Sequence, residues 1–137
     1  MIATSDLRIG NWMYDGDKAQ FPMYVQTIGE DYVYLNFNGN EGDVFESTPE
    51  DLHGIPITED LLKRMGFTFS GYGIWNKTQQ DRHISINISR EFVAIEAYKD
   101  GLVDSRCTCH GVKCLHHLQN LFYEISRTEL KIDIWSK

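Results

Sequence analysis

The sequence predicts an α+β protein in two parts: a small SH3-like β-barrel packed on an antiparallel sheet with two helices. Three observations predict this fold class. Short β-rich runs fill the first part, the texture changes at Thr58, and a long helical period appears only near the end. The predicted parts are residues 1–57 and 58–137, and we expect them to pack together because no flexible linker separates them.

The first part is predicted to hold five short strands joined by tight turns. They are expected at residues 7–14, 23–28, 32–37, 43–46 and 52–57. Gly29-Glu30-Asp31 separates the second strand from the third and suits a hairpin with a bulge. Pro56 marks a strand end or a sheet edge. Short strands with no helical period are typical of a small, partly open barrel.

The second part mixes helical and extended periods. Thr58 is a good N-cap, Glu59 and Asp60 suit the start of a helix, and Gly66 suits the position after its end. Later, leucine and phenylalanine recur at steps of three and four, which predicts a second and longer helix. The predicted elements are a helix over 59–65, strands over 67–98, a helix over 112–126 and a strand over 129–135.

Composition excludes several classes of protein. The chain has 137 residues, of which 42% are hydrophobic and 24% charged, and this is typical of a globular protein rather than a disordered or collagen-like one. The sequence shows no leader peptide and no apolar run that is long enough to span a membrane. Its three cysteines cannot all pair with one another. We therefore expect a cytoplasmic protein with no membrane partner.

Charge is divided unevenly along the chain. Residues 1–58 carry ten acidic side chains against two basic ones, whereas residues 59–137 carry ten against eleven. A phosphate backbone would be repelled by such an acidic part, so nucleic acid is disfavoured as a partner of residues 1–58. A basic patch on the second part stays possible. The acidic field favours encounter with a basic protein.

Aromatic side chains in the first part are candidates for binding a partner. Aromatic faces on small barrels form peptide grooves, and an acidic aromatic surface suits partners that carry lysine or arginine. The same side chains could instead complete a small core. The candidate partner-binding residues are Trp12, Tyr14, Tyr32 and Tyr34.

The polar face of the long helix provides a second group of candidates. These side chains could recognise a ligand, or they could hydrogen-bond across to the first part and fix how the two parts dock. The second role is favoured because long helices in small proteins often lie at internal junctions. The residues are His116, Gln119, Asn120 and Tyr123.

A cluster of cysteines and histidines could hold zinc, which needs four nitrogen or sulfur ligands in a tetrahedral array. The alternative makes Cys114 a small buried hydrophobe on the helix and the other two cysteines incidental loop thiols. A nucleophile at Cys109 beside His110 is a further hypothesis, although no orienting carboxylate is identifiable. The sequence contains no other catalytic motif. The candidate zinc ligands are Cys107, Cys109, Cys114 and His117.

Three stretches resemble a family of small uncharacterised proteins from Bacteroidetes phages, prophages and mobile elements. The stretches are Asp6-Leu7-Arg8-Ile9-Gly10-Asn11-Trp12, Ile55-Pro56-Ile57-Thr58-Glu59-Asp60-Leu61-Leu62 and Leu115-His116-His117-Leu118-Gln119-Asn120-Leu121-Phe122-Tyr123. They are similar to the patterns L-R-I-G-N-x-V, I-P-L-T-E-E-x-L and V-H-x-L-Q-N-L-Y-F. The resemblance implies that His116, Gln119 and Asn120 belong to the family motif, and it implies no established activity. The three cysteines depart from the pattern.

The leading hypothesis is a non-enzymatic accessory protein of phage or mobile-element type that binds another protein through the acidic aromatic surface. It needs no cofactor. The alternative is a zinc-stabilised module built on the cysteine cluster. A third possibility, an enzyme acting on a small molecule, predicts a polar pocket around His116.

Overall fold

The fold has two compact units, each with its own antiparallel sheet. A computed structural model describes residues 6–15, 22–37, 44–79 and 81–132. Unit 1 comprises Met1–Pro56 with Cys114–Asn120, and unit 2 comprises Ile57–Lys113 with Leu121–Lys137. The described residues form ten strands and two α-helices, which confirms the predicted α+β class. Unit 1 takes in seven residues from far along the chain, in addition to those before the predicted boundary.

Unit 1 is built on a five-stranded sheet in the order β4-β3-β2-β1-β5. Its strands are β1 (Trp12–Asp15), β2 (Pro22–Ile28), β3 (Val33–Asn36), β4 (Phe45–Ser47) and β5 (Leu52–Gly54). A single 3₁₀ turn, Pro49–Asp51, leads into β5. The hairpin of β2 and β3 has a register shift between Val25 and Thr27, so the predicted bulged hairpin is confirmed. Among the described residues β4 and β5 are the sheet edges, and no closed barrel forms.

The first strand begins later than predicted because the residues before it form a turn. The backbone N–H of Asn11 donates to the carbonyl of Arg8 at 3.0 Å, and Gly10 has a φ of +100°, which favours glycine. The core of unit 1 lies on one face of the sheet, where alternate side chains are buried. The core residues are Leu7, Met13, Met23, Val25, Val33, Leu35 and Leu52.

Unit 2 contains a five-stranded meander in the order β10-β9-β8-β7-β6. Its elements are α1 (Glu59–Arg64), β6 (Thr68–Gly71), β7 (Ile74–Gln79), β8 (Arg82–Asn87), β9 (Phe92–Lys99) and β10 (Leu102–His110). The backbone N–H of Leu61 donates to Thr58 Oγ1 at 3.2 Å, so the predicted N-cap is confirmed. The predicted strands of this part end at residue 98, so strand β10 is an addition to them.

Helix α2 (Leu115–Ser126) starts three residues later than predicted. The residues at its start make strand-like contacts instead: Cys114 forms an isolated β-bridge with Pro56, and the N–H of Leu115 donates to the carbonyl of Ile55 at 2.8 Å. Since these hydrogen bonds belong to extended backbone, the helix cannot continue through Cys114. Neither described helix has the length and hydropathy of a membrane span.

The predicted last strand is absent from residues 129–132, and its remaining residues, 133–135, lie outside the described part of the chain. The side chain of Gln79 takes the place of a neighbouring strand here. Its Nε2 donates to the carbonyl of Glu129 at 2.9 Å, and its Oε1 accepts from the N–H of Lys131 at 2.8 Å. Leu130 between them is buried. In residues 129–132 the apolar alternation that predicted a strand therefore corresponds to one buried side chain, Leu130, and not to pairing with another strand.

Candidate functional site

Gln119 joins helix α2 to the turn before β1 inside unit 1. Its Oε1 accepts from the backbone N–H of Trp12 at 2.9 Å, and its Nε2 donates to the carbonyl of Gly10 at 3.0 Å. The side chain is only 2% exposed. Both polar ends of the amide are used, as a buried amide requires. This residue therefore serves the fold and has no free group for a ligand.

Asn120 makes the neighbouring contacts in unit 1. Its Oδ1 accepts from Asn11 Nδ2 at 2.8 Å and from Arg8 Nε at 3.2 Å, while its Nδ2 donates to the carbonyl of Asp6 at 3.0 Å. Residues of the first and last resembling stretches are thus hydrogen-bonded to each other. These contacts are hydrogen bonds from the helix face to the first part of the chain, and they lie within unit 1. Tyr123, on the same helix, is half-buried.

His116 is buried beside these amides, with a side chain that is 3% exposed. Its Nδ1 has no hydrogen-bond partner among the described residues, and its ring lies 4.2 Å from the ring of His117. Burial, followed by the charge of His117, lowers the pKa of His116 to about 4, although Asp6 raises it slightly. The imidazole is therefore neutral at pH 7 and screened from dissolved substrates.

Acid should destabilise the protein through His116. In the unfolded chain its pKa returns to about 6.5, so between pH 6.5 and 4 the unfolded state binds the proton more readily. We expect the free energy of unfolding to fall by up to about 3 kcal/mol as the pH drops through this range, and to be independent of this group above it. Urea denaturation at several pH values measures the slope.

Two variants isolate this effect from the titration of carboxylates. His116→Asn should lose most of the slope between pH 6.5 and 4, whereas His53→Asn, at an exposed position of the same unit, should keep it. An unchanged slope in His116→Asn would show that the buried imidazole does not control acid stability.

The aromatic candidates of unit 1 have different surroundings. Trp12 is buried, at 7% exposure, with its ring edge-on to Tyr24 at 5.5 Å, so it cannot contact a partner directly. Tyr14 and Tyr34 are half-buried, and Tyr32 is 37% exposed with its ring 4.9 Å from that of Tyr34. The expected surface therefore rests on the tyrosines, and the tryptophan belongs to the interior.

Cys107 and Cys109 lie in strand β10 rather than in the predicted loop. They pair with Ile95 and Val93 of β9, which places their side chains on the buried face of the sheet. Adjacent strand residues point to opposite faces, so the thiol of Cys109 and the ring of His110 diverge. This arrangement gives no thiol–imidazole pair for nucleophilic catalysis.

Cys114 precedes helix α2, and His117 is an exposed residue in its first turn. The zinc hypothesis needs Cys114 and His117 one turn apart on the predicted helix, and Cys114 lies outside the observed one. Within the described part of the chain no group of three or more histidine, cysteine or acidic side chains is placed to hold a metal ion. Among the described residues the three cysteines form no disulfide.

A concave site that the sequence did not indicate lies on the outer face of the sheet in unit 2. The strand register aligns one row of side chains across four strands, from Ile74 through Asn87 and Phe92 to His110. The next row places Ser85 beside Ala94. Together with Arg90 and Arg106, these rows line a cavity of about 450 Å³. Periodicity could not reveal it because the register brings together residues from four separate segments.

The cavity can bind a ligand but holds no activated nucleophile among the described residues. The hydroxyl of Ser85 donates to Asn76 Oδ1 at 2.9 Å, and His83 Nε2 lies 3.0 Å from the same oxygen. An amide oxygen cannot take up the proton of the hydroxyl, so it provides no general base.

No protein-family model, no curated protein and no solved structure matches this chain.

Proposed function

We propose that this protein is a non-enzymatic, cytoplasmic accessory protein of phage or mobile-element type that binds a basic protein partner. The observation that carries the proposal is a tyrosine-lined outer face on the sheet of unit 1. The register places Tyr14 opposite His53 and Tyr34 opposite Glu46, on the face away from the core. The binding surface is defined as Tyr14, Tyr24, Tyr32 and Tyr34.

Several properties of this face suit protein recognition. Tyrosine offers a large, stiff contact area together with a hydroxyl, so it gains contact energy at little cost in side-chain entropy. The ring of Trp12, the cross-strand neighbour of Tyr24, packs edge-on against it at 5.5 Å. Exposed acidic side chains lie next to the tyrosines: Glu46 is opposite Tyr34, and Glu30 and Asp31 directly precede Tyr32. These acids favour lysine and arginine on the partner.

We also propose that unit 1 is a partly open SH3-like barrel and that the chain belongs to the phage-type family that it resembles. The return of β5 to the side of β1 supports the first statement, because it begins to curl the meander upon itself. The hydrogen bonds from Gln119 and Asn120 to residues 6–12 support the second. These hydrogen bonds join the first resembling stretch to the last, which explains why the two stretches occur in the same chain.

Affinity purification from a Bacteroidetes lysate, followed by titration of the purified partner, tests the binding proposal. We expect Tyr34→Ser to weaken binding about tenfold, because it removes an aromatic contact worth about 1.4 kcal/mol. We also expect the affinity to fall as salt is raised.

Tyr72→Ser is the matched control. Tyr72 is 98% exposed on a turn of unit 2, so its replacement removes the same chemical group from a different surface. Equal affinities of the two variants, or a captured partner that binds independently of salt, would contradict the proposal.

A further inference from the structure

We propose that the outer face of the sheet in unit 2 binds a small organic anion that carries a planar ring and a phosphate or carboxylate group. The ligand would occupy the cavity between Phe92 and the two arginines, Arg90 and Arg106. This inference is independent of the proposed function, which uses unit 1.

The floor of the cavity suits a ring. The rings of Phe92 and His110 lie 4.9 Å apart and inclined at 55°, and Ile74 adds an aliphatic side chain in the same row. Ala94 in the next row is small and buried, which leaves depth for a flat group. A volume of about 450 Å³ is in the range of small-molecule sites, which span roughly 300–1,000 Å³.

The rim of the cavity suits an anion. Among the described residues, neither guanidinium of Arg90 and Arg106 makes a hydrogen bond or an ion pair. Guanidinium groups offer paired donors that match carboxylate and phosphate oxygens. Nearby Glu91 does not neutralise them, since its carboxylate faces Lys113 at 3.8 Å. Glu96 lies on the same face, opposite Arg106, and the two arginines of the rim outnumber this one carboxylate.

Asn87 fixes the geometry of this rim. Its Oδ1 accepts from the backbone N–H of Arg90 at 3.1 Å, which holds the turn between β8 and β9 in place. Asn87 lines the cavity, and its amide nitrogen makes no hydrogen bond among the described residues, so it is available as a third donor. A donor set of two guanidinium groups and one amide selects for negative charge on the ligand.

A small molecule fits better than a nucleic-acid strand. A strand needs positive charge along an extended track, whereas the positive charge here is confined to two side chains in a protein of net charge −7. Glu96 borders the cavity in the neighbouring row and would repel a continuing phosphate backbone.

Protein-observed NMR with two matched pairs of probes tests the inference. The pairs are adenosine monophosphate with adenosine, and 2-naphthoate with 2-naphthamide. We expect at least one anionic probe to shift the amide resonances of Ser85, Asn87, Phe92 and Arg106. The neutral analogue of that probe should bind with about tenfold lower affinity. Binding of the first pair points to a phosphate ligand, and binding of the second to a carboxylate.

Variants link the binding to the rim. Arg106→Gln should weaken binding of the anionic probe about tenfold. Arg64 is an exposed arginine at the end of α1, and Arg64→Gln should leave that binding unchanged. Both positions are exposed, so we expect both variants to fold, and their spectra verify it. Three results would overturn the inference: no shift with either anion, equal binding of the neutral analogues, or tighter binding of a short oligothymidine than of adenosine monophosphate.

Discussion

Replacing Gln119 with leucine will lower the free energy of unfolding by about 3 kcal/mol. The leucine fills a similar volume but can neither accept from the N–H of Trp12 nor donate to the carbonyl of Gly10. Removing one partner from a buried polar group costs about 1–3 kcal/mol, and here two backbone groups lose theirs. Urea denaturation followed by circular dichroism gives the value directly.

Glu124→Leu is the control for this variant, because Glu124 is exposed on the same helix. It should change stability by less than about 0.5 kcal/mol. If Gln119→Leu were equally mild, the amide would not hold the helix to the turn, and the resembling stretches would lack their shared structural reason.

Phe122→Ala should lower the free energy of unfolding by about 4 kcal/mol, the largest effect that we expect from a single substitution. Phe122 is fully buried in helix α2, and its removal leaves a cavity that the surrounding side chains can fill only in part. The measurement is the shift of the urea midpoint at constant m-value.

Phe69→Ala is the control, because it makes the same chemical change as Phe122→Ala at a surface position. Phe69 is 52% exposed, although it touches Trp75 at a centroid distance of 5.1 Å, so we expect a loss of about 1 kcal/mol. Similar losses at the two positions would mean that the helix is not part of a packed core.

The elements that the sequence predicts well are those with a local physical cause. Helix α1 follows from its cap at Thr58 and the glycine after its end, and the hairpin of β2 and β3 follows from a glycine-containing turn. These signals act within a few residues, so they do not depend on the rest of the fold.

Strand β10 escaped prediction because its sequence carries no apolar alternation. Among the described strands it pairs with β9 alone. The side chains of Arg106 and Thr108 face outward, while two cysteines face the core. Polar composition at an edge is common, because it discourages pairing with other chains. A sequence rule that requires apolar alternation therefore mistakes this strand for a loop.

The two sites differ in how far the sequence predicts them. The polar helix face was recognisable from its spacing, but the hydrogen-bond partners of Gln119 lie more than one hundred residues away, so only the fold identifies them. The cavity of unit 2 joins Arg90 in a turn to Arg106 in an edge strand. No local pattern connects these positions, since their proximity follows from the register of three strands.

Unit 1 is assembled from two separate segments of the chain, so the ribosome delivers it in two stages. The 57 residues from 57 to 113 are translated after the first segment of unit 1 and before the segment that completes it. At about 5–20 residues per second, this delay lasts roughly 3–11 s. During that time the nascent first segment is on or near the ribosome without Cys114–Asn120, and unit 2 receives most of its strands. Unit 1 therefore stays incomplete until residue 120 is translated, and a ribosome-associated chaperone would have several seconds in which to meet its first segment.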